Sequence, residues 1–83
     1  MRGITKQAGE QLSMLLTLAN AEDNVCIRLV APVGRNMLKM DTALPRDKVF
    51  KHKKRLVLTV DEQVAHACAG RTLDFRDNEF RVI

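Results

Sequence analysis

The stretch Val25 to Asp41, VCIRLVAPVGRNMLKMD, decides the fold, because it reads as two alternating strands folded back through the loop Pro32-Val33-Gly34-Arg35. Alternation puts Val25, Ile27 and Leu29 on one face of the first strand. A register that closes this loop sets Leu29 opposite Leu38 and Ile27 opposite Met40, apolar against apolar, which marks a core face. The other face carries Cys26 and Arg28, with Asp41 across from Cys26 and Lys39 on its diagonal.

On the N-terminal side of this hairpin, apolar residues recur at steps of three and four from Thr5 to about Asn20: Ala8, Leu12, Leu15, Leu16 and Ala19. That spacing predicts an amphipathic helix with Thr5 as its N-cap. Gly9 interrupts it at a cost of up to about 1 kcal/mol against alanine, so either a close packing contact requires it or the first turn frays. Asn20 to Asn24 then supplies turn formers.

On the C-terminal side, Ala43-Leu44-Pro45-Arg46-Asp47 is a loop, since proline removes a donor and disfavours a helical Leu44. Lys48-Val49-Phe50 reads as a short edge strand, Lys51 to Arg55 as a basic turn, and Leu56 to Val60 as a strand buried at a sheet centre. Thr59-Val60-Asp61-Glu62 matches a capping box for a helix to about Ala69, with Val64, Ala67 and Cys68 on its packing face and His66 pointing away. Gly70 is a left-handed stop.

The final segment, Thr72 to Ile83, predicts its own register. With Asp77-Asn78 as a two-residue turn, Phe75 faces Phe80 and Leu73 faces Val82, while Asp74 faces Arg81 and Arg76 faces Glu79. A slip of one residue would lose all four matches. The chain therefore predicts one α+β domain over residues 1–83, a small mostly antiparallel sheet with two helices covering one face.

A chain of 83 residues buries only a little over half of the surface that its unfolded form exposes, so its stability margin is small. Trp and Tyr are absent and Phe occurs three times, which disfavours single-stranded nucleic-acid stacking. The net charge of +4 draws the chain mildly toward anionic surfaces. No apolar run approaches a signal or membrane segment, so the expectation is a soluble cytoplasmic protein. In that compartment two distant cysteines stay reduced.

Few residues suggest chemistry. Cys26 is either a thiol activated by neighbouring cations or a small, partly buried residue. Cys68 falls on a helix packing face. His52 and His66 could supply nitrogen ligands, and with Cys26 they form the candidate set for a divergent metal site, although neither histidine has a second ligand at a helical spacing. Arg35, Lys51, Lys53, Lys54 and Arg55 are the candidate polyanion-binding positions, and basic runs at turns also serve to protect edge strands. Asp61-Glu62 is accounted for by helix capping. No nucleophile–base pair or phosphate loop is legible, so no catalytic residue is assigned.

The order of elements resembles the HesB-like family of A-type iron–sulphur cluster assembly proteins. The residues that carry the resemblance are the opening helix ITKQAGEQLSMLL, the strand CIRLVA before a glycine-containing loop, DKVF at Asp47 to Phe50, the junction LVLTVDEQVA, and the ending AGRTLDFRDNEFRVI. The resemblance implies a HesB-like fold. It also implies ligand cysteines in a Gly-Gly-Cys type loop after the first strand and in a Cys-Gly-Cys tail after the last. Here the loop is Pro32-Val33-Gly34-Arg35, the sequence ends at Ile83 ahead of the tail position, and Cys26 and Cys68 align with neither. The expectation is thus a non-catalytic HesB-like protein without a functional cluster site and without a cofactor. Its role would be accessory, through an unidentified protein partner or self-association by a sheet face or edge.

Overall fold

The computed structural model describes all 83 residues and holds two helices and seven strands. In chain order these are β1 (Gly3–Ile4), α1 (Lys6–Leu18), β2 (Val25–Leu29), β3 (Leu38–Thr42), β4 (Lys48–His52), β5 (Arg55–Val60), α2 (Glu62–Ala67), β6 (Thr72–Arg76) and β7 (Glu79–Val82). The α+β class stands. The strands, however, form two sheets, one ordered β3-β2-β5-β4 and the other β1-β6-β7. Three pairings are antiparallel, while β2 with β5 and β1 with β6 are parallel. A parallel pair joins segments far apart in sequence, so no hairpin signal announces it.

The opening hairpin forms in the predicted register, with Leu29 opposite Leu38, Ile27 opposite Met40 and Cys26 opposite Asp41. Its loop is closed by the Val30 N–H donating to the Met37 carbonyl at 2.7 Å. Because β3 is an edge, the core face there is incomplete: Ile27 and Leu29 are buried, but Met40 is exposed. The β6–β7 hairpin shows all four predicted pairs, including a tilted Phe75–Phe80 ring contact at 4.8 Å. Its turn residues Asp77 and Asn78 both hold positive φ, at 54° and 63°, as a type I′ turn requires.

Helix α1 lies over both sheets, and its Ala8, Leu12 and Leu16 join Leu58, Val60, Leu73 and Val82 in one core. Thr5 caps it as expected, its Oγ1 accepting from the Ala8 N–H at 3.1 Å. The choice posed by Gly9 is resolved as close packing. A Cβ at this position would stand 2.5 Å from Nδ1 and 3.2 Å from Cβ of His52, whose side chain lies against the helix.

Two expectations about α2 are corrected. Its N-cap is Asp61, whose side chain accepts from the Val64 N–H at 2.8 Å, and Thr59 belongs to β5. Strand pairing with β2 and β4 keeps Thr59 extended, so the cap moves two residues on. The packing face is Val64, Ala65 and Cys68, with Ala67, the last helical residue, exposed. Gly70 has the expected left-handed φ of 76°.

Candidate functional site

Two features outside the main core concentrate chemistry. The first is a buried polar cluster on the face of β2 opposite the core. Arg28 is 6% exposed, and its Nη2 donates to Asp47 Oδ2 at 2.6 Å and to the Thr42 carbonyl at 3.1 Å, while Nε donates to Asp41 Oδ2 at 2.8 Å. Asp47 Oδ2 also accepts from Thr59 Oγ1 and from the Leu44 N–H, both at 2.8 Å. The loop from Ala43 to Asp47 is therefore fastened to the sheet through one guanidinium. The bond from Arg28, aided by those from Leu44 and Thr59, lowers Asp47 to about 2 against the cost of burial. Asp41 is lowered for the same first reason, and Arg28 is raised by its two carboxylates.

Cys26 lies in this cluster with no solvent exposure. Its thiol is pushed up, first by burial and then by Asp41 and Asp47, with Arg28 opposing. Activation by neighbouring cations is thus overturned, since both carboxylates already neutralise the cation concerned. Every fully buried side-chain nitrogen and oxygen of the network has a hydrogen-bond partner, which is how a buried ion pair persists.

The second feature is an open groove of about 690 Å³ between the β2–β3 loop and the last strand. One wall is Pro32, Val33, Gly34, Arg35, Met37 and Leu38, and the other is the whole of β7 with Ile83. Val33 and Ile83 are exposed apolar residues. Of the charged groups, Glu79 and Arg81 pair with each other at 3.0 Å, and Arg35 holds no ion pair. Oxygen from Glu79 is the sole anionic side-chain donor here, so the groove does not fit an iron–sulphur cluster, which takes several thiolates.

No family model matches the chain. Nor does any curated protein match it at a significant level.

The other candidate residues are scattered. His52 is held against Gly9 of α1, His66 is exposed on α2, and Cys26 lies on the far face of the sheet from α1. No three His, Cys, Asp or Glu side chains gather into a metal-holding group. Cys68 is buried in the core. The basic positions divide as well. Strand β5 runs parallel to β2, so the β4–β5 turn with Lys53 and Lys54 sits at the start of β2, whereas Arg35 follows its end. Arg55 donates to Thr17 Oγ1 at 2.9 Å and is committed to α1, while Lys51 is an exposed strand residue. No helix is long and apolar enough to cross a membrane.

The Arg28 network was only half legible. Strand pairing places Arg28 beside Asp41, but Asp47 arrives from a loop whose path the sequence does not dictate. The groove was legible only as a loop, because its second wall comes from the other end of the chain.

Proposed function

We propose that the chain is a non-catalytic HesB-like domain without a functional cluster site, acting as an accessory or interaction module near iron–sulphur cluster biogenesis. The observation that carries this reading is the groove. The loop at Pro32 to Arg35, where the resemblance assigns one ligand, lines the same cleft as Ile83, the residue just ahead of the tail position. The loop supplies no thiol, and both cysteines of the chain are buried elsewhere, Cys26 under the Arg28 network and Cys68 in the core. A groove with apolar walls and one unpaired arginine suits protein contact better than metal binding. Arg35 lies at the other end of the sheet from Lys53 and Lys54, and Arg55 is committed to Thr17, which gives polyanion binding by this set less support.

The test is purification of the 83-residue chain under anaerobic conditions, with assay of iron, sulphide and visible absorbance. Colourless protein with iron and sulphide far below one per chain is the expected result. Stoichiometric iron and sulphide with a visible band would overturn the reading.

A further inference from the structure

The two sheets present four edges, and they differ in how well each is guarded. Strand β1 has two residues. Strand β4 carries Lys48 and Lys51 and a bulge between Phe50 and Lys51, devices that discourage edge pairing. Strand β7 has four residues, and the carbonyl of Val82 already accepts from Arg71. Strand β3 is five residues long and pairs with β2 without a bulge.

Its outward groups can be read from the ladder. The Val30–Met37 bond fixes Arg28–Lys39 and Cys26–Asp41 as the hydrogen-bonded pairs. Leu38, Met40 and Thr42 therefore turn their N–H and carbonyl groups away from β2. Those of Thr42 are held by Asp41 Oδ1 and Arg28, whereas Leu38 and Met40 have no such partner. Met40 is 45% exposed, and Lys39 is exposed without an ion pair.

We propose that β3 pairs antiparallel with β3 of a second copy of this chain, about a two-fold axis at Met40. The sequence Lys39-Met40-Asp41 is self-complementary in that register. Lys39 of each copy stands opposite Asp41 of the other, the two Met40 residues exchange backbone bonds, and Leu38 faces Thr42. A pairing one residue to either side of this axis would lose the Lys39–Asp41 matches. The result is one eight-stranded sheet with Met40 covered at its centre. This goes beyond the interaction reading by naming the partner and the seam, and it does not rest on the absence of a cluster: iron content and oligomeric state are separate readouts.

The experiment is sedimentation equilibrium of the full chain together with oxidative cross-linking of Met40→Cys. Cα atoms of a hydrogen-bonded pair lie about 5.5 Å apart, within disulfide reach. The native cysteines are both fully buried and do not compete. Met40→Cys is expected to give a covalent species of twice 9.4 kDa on oxidation, and Val49→Cys on β4, whose seam is unchanged, to associate without a covalent cross-link. Lys39→Glu, a change at an exposed side chain without bonds, is expected to weaken association about tenfold, since two attractive pairs become repulsive. Wild-type chain that remains at 9.4 kDa up to about 1 mM overturns the proposal. So does association indifferent to Lys39→Glu, or cross-linking through Val49→Cys in preference to Met40→Cys.

Discussion

Gly9 of α1 packs against His52 at the sheet edge, and the cost of filling that space outweighs what the helix would gain. Alanine at Gly9 brings up to about 1 kcal/mol of helix propensity. Its methyl, however, would stand 3.2 Å from the His52 Cβ as well as 2.5 Å from the ring, so rotating the ring alone does not clear it. Overpacking of this kind costs about 1–3 kcal/mol. Gly9→Ala should therefore lower stability, and His52→Ala in the same chain should recover it, a coupling that denaturant titration of the two single variants and the double variant measures. Asp47 provides the second residue-level prediction. Its folded value of about 2 lies below the 3.8 of the free group, so its contribution is fully present above pH 4 and is lost as pH falls through about 2. Asp41 and Asp74 are lowered too and act in the same direction. Thermal melts should show stability declining over that acid window, and less steeply in Asp47→Asn. At neutral pH Arg28→Ala, which strands Asp47 without its cation, should cost about 3–5 kcal/mol.

Elements whose register depends on neighbours in sequence were legible, and those defined by distant partners were not. The β6–β7 hairpin combines an Asp-Asn turn with two apolar pairs and two charge pairs, which no shifted register satisfies. Strand β1 is two residues long and exists only through its parallel pairing with Thr72 and Leu73, so no local pattern could reveal it. The capping box at Thr59 failed because a strand claimed that residue first. The basic turn shows a related effect. Strand β4 continues to His52 and β5 begins at Arg55, which leaves Lys53 and Lys54 as a two-residue turn with φ of 49° and 72°. L-residues pay about 1 kcal/mol each in that region, and Asn-Gly is the preferred pair. Replacing Lys53-Lys54 by Asn-Gly should raise the melting temperature by roughly 4–8 °C for each kcal/mol relieved, readable by calorimetry.

At the scale of the molecule, two sheets bridged by α1 put the β2–β3 loop beside the end of the chain, which sequence order conceals. The same arrangement separates Arg35 from the Lys53–Lys54 turn, so the net charge of +4 is not focused on one face by these positions. The chain should accordingly leave a heparin column at or below about 0.2 M salt. The central proposal, that the groove beside the β2–β3 loop holds no cluster, is tested most directly by loading. After incubation with ferrous iron and sulphide without oxygen and then desalting, the chain should retain iron well below one atom per molecule and no visible absorbance. Retention of stoichiometric iron and sulphide through desalting would contradict the account.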